Sequence, residues 1–274
     1  MLPADNHVHS EWSYDTTPEA SMARSCEQAL AVGVPSVAFT EHMEFTTGLP
    51  GDAITGLGHD QRWWKKIRPF DVPGYMQSVD ECRQRFPDLR ILSGVEAGEP
   101  HLFGASAAAV MSGHRFDRVL GSLHAVPCDG ALVSADRELF SRMPTADAMR
   151  LYFAEVVRLI EGSDLFEVLA HVDFPRRYWP SGQSAYREAD YQEEYRAVFR
   201  ALAGSGRVLE INTKTPLASV DLVKWWREEG GGACSFGSDA HAPGRVGDRF
   251  KVAVDIVEAA GFRPGRDRYD FWRR

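Results

Sequence analysis

Seven short apolar runs recur along this 274-residue chain, at 2–5, 36–40, 90–95, 118–123, 165–170, 207–212 and 232–238. Each is followed at once by residues able to hold a metal or a proton: His7/His9, His42, Glu96, His124, His171, Asn212 and Asp239/His241. Six of the seven therefore end in His, Glu or Asp, and the seventh in Asn. Runs of this length read as buried strands. The intervening stretches read as helices at 75–86, 145–162, 188–203, 220–229 and 248–260. A further helix is expected to open at Thr17-Pro18-Glu19 as N-cap, first-turn proline and acid, and to stop at Gly33.

Alternating buried strands and helices argue for parallel β/α units. In a closed (β/α) barrel the functional residues gather at the C-terminal strand ends. An open doubly wound sheet collects ligands only at its switch point. Candidates after nearly every strand thus favour the barrel, read as one domain over 1–274. In the first motif, Asp5-Asn6-His7-Val8-His9, residues i and i+2 of an extended strand point the same way, so both imidazoles can reach one cation.

The composition is that of a globular protein, 44% hydrophobic with a net charge of −8, which gives no basic footprint for a nucleic-acid duplex. Cys26, Cys82, Cys128 and Cys234 show no Cys-x-x-Cys pairing and read as free thiols. No leader or membrane span is visible, and cleavage of a leader would remove His7, so a cytoplasmic protein is expected. The basic, aromatic tail at 263–274 reads as a packed cap. Residues 46–74, with Gly48, Pro50, Gly51, Gly56, Gly58 and the pair Trp63-Trp64, form the irregular part and read as a lid-like loop. Its tryptophans either stack on a substrate or pack over the barrel rim. His59, His101 and His114 fall outside strand ends and read as surface or loop histidines.

In order along the chain stand His7-Val8-His9-Ser10, Thr40-Glu41-His42, Gly94-Val95-Glu96, Gly121-Ser122-Leu123-His124, Ala170-His171-Val172-Asp173, Glu210-Ile211-Asn212 and Gly237-Ser238-Asp239-Ala240-His241. This series resembles the polymerase-and-histidinol-phosphatase (PHP) superfamily, closest to its histidinol-phosphatase branch. The resemblance implies a distorted seven-stranded (β/α)7 TIM-like barrel and a centre of three divalent metal ions, zinc, iron or manganese. It assigns His7, His9, Glu96 and Asp239 to one ion. Glu96 then bridges to a second held with His124 and His171, and Asp15, His42 and His241 hold the third. Asp15 stands where some relatives have histidine, which favours a harder ion there. Glu41 and Asp173 flank ligands and either orient imidazoles or are solvated, and Asn212 is placed with them behind the ligands.

Three dications against the three carboxylates Glu96, Asp15 and Asp239 leave positive charge for a bridging hydroxide and an anionic substrate. The implied reaction is hydrolysis of a small phosphate monoester by a metal-activated hydroxide, with no protein nucleophile. L-histidinol phosphate, in the penultimate step of histidine biosynthesis, is the substrate the resemblance favours. Arg176 is the first choice as phosphate clamp, with Arg177 its substitute and Arg245 on the last βα loop a third. After Asn212 the branch often carries Ser-Gly-Leu-Arg. This chain has Thr213-Lys214-Thr215-Pro216, so Lys214 supplies charge but no fork. The competing readings are a phosphodiesterase or nucleotide-trimming relative, an amidohydrolase-type hydrolase, and a non-catalytic module stabilised by its metals. Carboxylated-lysine chemistry of the amidohydrolase kind would have only Lys214 to use.

Overall fold

A computed structural model of the chain describes residues 2–17, 19–54, 58–59, 63–214 and 216–274, with backbone alone for 58–59 and 63–64. The strands are β1 (Asp5–Val8), β2 (Ser36–Met43), β3 (Gly58–His59), β4 (Arg90–Gly98), β5 (Arg118–Ser122), β6 (Ala125–Cys128), β7 (Ala131–Ser134), β8 (Val168–Leu169), β9 (Val208–Asn212), β10 (Ala233–Gly237) and β11 (Trp272–Arg273). The α-helices are α1 (Met22–Val32), α2 (Val72–Arg85), α3 (Gly104–Met111), α4 (Arg137–Arg142), α5 (Thr145–Gly162), α6 (Gln192–Gly204), α7 (Val220–Glu228) and α8 (Phe250–Ala259).

The main sheet runs β1-β2-β4-β5-β8-β9-β10-β11, and its first seven members are parallel neighbours. These are the seven apolar runs of the sequence, in sequence order. The sheet curls until its edges meet: Val8 bridges Ala240, the His9 N–H donates to Ala240 O (2.9 Å), and the Asp239 N–H donates to His7 O (2.8 Å). Strand β11 adds an eighth, antiparallel member beside β10, so the expected C-terminal cap is partly sheet.

Residues in register share a face. Glu96 pairs with Leu120, Leu120 with Val168, and Val168 with Val208, which puts one carboxylate on the same inner face as an apolar floor. That floor is a buried cluster of Leu120, Val168, Ala170, Val208, Ala233 and Phe271. Arg118 closes it, its guanidinium 4.4 Å from the Phe271 ring centre and bonded to Asn6 Oδ1 (3.3 Å). The outer face packs on the helices. Helix α5 buries Ala148, Met149, Tyr152, Phe153, Val156, Leu159 and Ile160, the i, i+3, i+4 stripe of an amphipathic helix.

Four local readings change. The first strand spans Asp5–Val8 instead of 2–5, because the seam satisfies its polar residues. The Asp5 carboxylate accepts from Ser238 N (2.9 Å) and Gly247 N (2.9 Å), and burial pushes it up to about 6. Helix α1 starts at Met22, beyond the Thr17–Glu19 signal, since Glu11 from the preceding loop accepts the Met22 N–H (2.7 Å); Pro18 lies outside the described residues. Segment 46–74 is also less irregular than expected. Asp52 accepts from Leu49 N, Ala105 N, Ser106 N and Ser106 Oγ, tying the segment to the start of α3. It then contributes β3 and a 3₁₀ turn at Trp63–Lys66 before α2 begins at Val72. Gly56 and the side chains of His59, Trp63 and Trp64 lie outside the described residues.

The fourth change is an unexpected hairpin. Strands β6 and β7 turn at Asp129-Gly130, both at positive φ (50° and 76°), and β3 joins β7 to make a second, three-stranded sheet. Among the described residues no helix is long and apolar enough to cross a membrane.

Strand β11 is short, and one side chain anchors it: Trp272 is buried against Phe236, ring centres 5.2 Å apart. We expect Trp272→Ala to cost about 3–5 kcal/mol of stability, read as a lowered urea midpoint. A loss below about 1 kcal/mol, within the range of surface changes, would show that Trp272 does not anchor the C-terminal strand.

Candidate metal centre

Strand ends β1, β2, β4 and β5, with the segments after β8 and β10, bring their polar side chains to one point at the top of the barrel. Glu96 on β4 lies at its middle, 1% exposed. Its Oε2 is 3.3 Å from His7 Nε2, 3.4 Å from His9 Nε2 and 3.1 Å from His42 Nδ1. Its Oε1 is 2.7 Å from His171 Nε2 and 3.3 Å from His124 Nε2. Burial alone would raise this carboxyl, but His7, His124 and His42 hold it well below the usual carboxylate range.

Three subsets of donors form around it. His7 Nε2 and His9 Nε2 are 3.1 Å apart, and Asp239 Oδ1 is 3.6 Å from His9 Nε2 and 4.0 Å from His7 Nε2. His124 Nε2 and His171 Nε2 are 3.3 Å apart beside Glu96. Asp15 Oδ2 is 3.4 Å from His42 Nε2 and 3.0 Å from His241 Nε2. His7, His9 and Asp239, like Glu96, His124 and His171, offer donor atoms all within 4.8 Å of one another; so do His9, His42 and His241. Metal–nitrogen bonds of about 2.0–2.1 Å at tetrahedral angles place donors about 3.3 Å apart, so the donor set fits divalent ions. The nine residues expected from the sequence are thus brought together.

The rings are oriented from behind. His7 Nδ1 donates to Glu210 Oε1 (2.6 Å) and His124 Nδ1 to Glu44 Oε1 (2.6 Å), which turns Nε2 of both rings inward. Ser13 Oγ gives its one proton to Glu41 Oε2 (2.5 Å) and so accepts from His9 Nδ1 (3.0 Å). Glu41 therefore acts on His9 through a serine, and it is fully buried rather than solvated. Asp173 faces away from the imidazoles, toward Arg176 and Tyr195 Oη. Asn212 bridges, receiving Arg177 Nη2 (3.0 Å) and donating to Glu210 Oε2 (3.1 Å).

Glu44 and Glu210 were given no role from sequence. The signal was there: each stands two residues from a recognised position (His42, Asn212), on the same side of an extended chain. Both need room, which glycine supplies. A Cβ at Gly98 would lie 2.0 Å from Glu44 Oε2, and one at Gly237 would lie 2.0 Å from Glu210 Oε1. Glu99 is a further buried acid. At φ 44° it accepts from His124 N (2.6 Å) and Ala125 N (2.8 Å), and burial beside Glu44 pushes it up to about 8. Asp239 is also left-handed (φ 51°), a conformation that aspartate tolerates better than most residues.

The four basic candidates separate. Arg177 Nη2 bonds Asp239 Oδ2 (2.6 Å), and Lys214 Nζ lies 3.0 Å from Asp239 Oδ1 and 3.1 Å from His241 Nδ1. Both line a cavity of about 230 Å³ over the cluster, with Tyr14, Lys66, Ser134, Asp136, Phe174 and Tyr178. Arg176, the first choice from sequence, instead pairs with Asp173 (3.1 Å) and Glu188 (2.7 Å). Residues 174–178 form a 3₁₀ turn, in which neighbours point about a third of a circle apart, so only one of the two arginines can face the cavity. Arg245 is exposed and paired with Asp248. His101 does lie in the turn between β4 and α3, as read, but its side chain is only 6% exposed and is bonded to Glu155 (2.8 Å).

A barrel with this cluster at its strand ends defines a metal-dependent hydrolase. The PHP domain model matches residues 5–214, and the chain belongs to that family. Among curated proteins it is similar to the histidinol-phosphatase of Lactococcus lactis subsp. lactis, 26% identical over 96% of this chain and 93% of that protein. It is also similar to a probable histidinol-phosphatase of Deinococcus radiodurans, 27% identical over 94% of each. Among solved structures, histidinol phosphate phosphatase from L. lactis complexed with zinc, L-histidinol and phosphate superposes with a TM-score of 0.79 at 24% identity, over 95% of this chain and 94% of that one. The putative histidinol phosphatase from Listeria monocytogenes gives 0.71 at 18%, over 91% and 99%. Both likenesses support the barrel.

The carboxylates behind the rings give a direct test. We expect Glu210→Gln and Glu44→Gln each to weaken divalent-ion binding by about 10- to 100-fold, measured by competition with a chelator. Unchanged affinity in both would mean that the ring orientations do not depend on them.

Proposed function

We propose that this chain is a phosphatase that hydrolyses L-histidinol phosphate to L-histidinol and phosphate, using three divalent ions of zinc, iron or manganese. The observation that carries the reading is the shared Glu96 among six imidazoles and two further carboxylates, with Arg177 and Lys214 on the same cavity wall. The full-length similarity to histidinol-phosphatases supports the substrate. In this reading residues 1–274 work as one barrel unit.

His7, His9, Glu96 and Asp239 would hold one ion, Glu96, His124 and His171 a second, and Asp15, His42 and His241 a third. When bound, divalent ions polarise phosphoryl oxygens and make hydroxide available near neutral pH, lowering the pKa of water from 15.7 to about 7. The protein's own part is charge and geometry. Burial holds His9 and His171 below the ordinary imidazole range, which favours the neutral ring with one nitrogen bare and able to bind an ion. Glu210 and Glu44 add two anionic groups beyond the three counted from sequence, so the centre needs less charge from solvent. Arg177 Nη2 is held by Asn212 Oδ1 and Asp239 Oδ2, which leaves Nη1 and Nε to meet phosphoryl oxygens singly, and Lys214 adds a point charge beside it. No side-chain nucleophile is required.

The test is a phosphatase assay on the metal-loaded protein with L-histidinol phosphate and p-nitrophenyl phosphate. We expect preference for the former, loss of activity with a chelator, and recovery with zinc, manganese or iron. His7→Ala should abolish turnover, and Arg177→Lys should lower kcat/KM by about 10- to 100-fold through lost charged hydrogen bonds. Activity that resists chelation would defeat the metal assignment. Indifference between the two esters would defeat the substrate.

A further inference from the structure

The cavity has two kinds of lining. The imidazoles, Arg177 and Lys214 form one, with the Arg177 guanidinium 5.1 Å from the Phe174 ring centre. The other is a single carboxylate outside the donor cluster, Asp136, with Ser134 and Tyr178. We propose that Asp136 is a specificity-determining residue that binds a cationic nitrogen in the alcohol part of the phosphate ester. This rests on the phosphatase reading above and names the class of leaving group: an amino alcohol in its ammonium form.

The position of Asp136 is set by the strand ends themselves. The β6–β7 hairpin leaves directly from His124 and returns to it, the Ala135 N–H donating to His124 O (2.7 Å) and Ala125 pairing with Ser134. Asp136 follows on the next residue. Its Oδ1 accepts the Glu138 N–H (2.8 Å) as N-cap of α4, which fixes the side-chain rotamer. Among the described residues, no hydrogen bond or ion pair engages its other oxygen. Phe174 is held edge-on to His124 (5.0 Å) and against His171 (5.0 Å), and its ring centre is 5.6 Å from that of Tyr178. With the phosphate on Arg177 and Lys214, an ammonium elsewhere in the ester has one acid outside the donor cluster to meet, Asp136. Three other lining cations, Lys66, Arg177 and Lys214, would repel an ammonium placed elsewhere, so the one unpaired acid decides where it sits.

The experiment measures kcat/KM on metal-loaded full-length protein for two substrate pairs that differ only in the amine. These are L-histidinol phosphate against its deamino analogue, and ethanolamine phosphate against ethyl phosphate. Wild type is compared with Asp136→Asn and Asp136→Ser, both competent helix caps, so α4 is kept. We expect wild type to prefer the amine in each pair. Both variants should reduce that preference by about tenfold or more, mainly through KM, as a charge-assisted hydrogen bond is lost. An amine preference retained in both variants, or absent from wild type, overturns the assignment. If the preference depends on Asp136 but histidinol phosphate is no better than ethanolamine phosphate, Asp136 stands and the histidinol reading falls.

Discussion

One buried carboxylate organises the top of this barrel. Glu96 has both oxygens committed, one toward His124 and His171 and the other toward His7, His9 and His42. A lone ionised carboxylate at that depth would be too costly to keep charged. It stays ionised because the strands deliver five imidazoles to it, and the imidazoles stay oriented because Glu210, Glu44 and the Glu41–Ser13 pair hold their far sides. Glycines at 98 and 237 leave the volume those acids occupy. Cluster and barrel thus require each other. The seam that closes the sheet, where Asp239 bonds His7 and His9 bonds Ala240, is made by the same residues that present donor atoms.

How much of this could be read from the residues depends on which contacts are local. The seven parallel strands were legible because burial on both faces writes a continuous apolar run, and the donors at their ends mark the C-terminal edge. The first strand was placed three residues early because its polar Asp5 and Asn6 look like a terminator. Their partners, Ser238, Gly247 and Arg118, are more than a hundred residues away. Helix α1 starts late for the same reason: Glu11 supplies a cap that no local pattern announces. The Asp129-Gly130 hairpin is a different case, since that dipeptide favours positive φ and the signal was local.

The site divides the same way. Donors were legible by type and place, whereas the acids behind them, Glu44 and Glu210, were visible only through the i, i+2 rule applied a second time. Between Arg176 and Arg177 the sequence offered no means of choice. They lie on a 3₁₀ turn, not a strand, and it is the turn's phase that sends one to Glu188 and the other to Asp239.

Chemistry and recognition are consequently built from different parts of the chain. Donors other than Asp15, which lies in the loop after β1, come from strand ends or the residues just beyond them, where the hydrogen-bonded register gives the precision a phosphoryl-transfer centre demands. The rest of the cavity lining comes from segments inserted between strands: the hairpin with Ser134 and Asp136, the 3₁₀ turn with Phe174, Arg177 and Tyr178, and Lys66. Such segments can change without disturbing the register beneath them. They are nevertheless not loose. Ala135 is bonded to His124 and Arg177 to Asp239, so the recognition wall is tied by hydrogen bonds to the candidate ligands themselves. A change in what the wall accepts is therefore felt at the metals, and the fit of the alcohol can bear on the positioning of the phosphate.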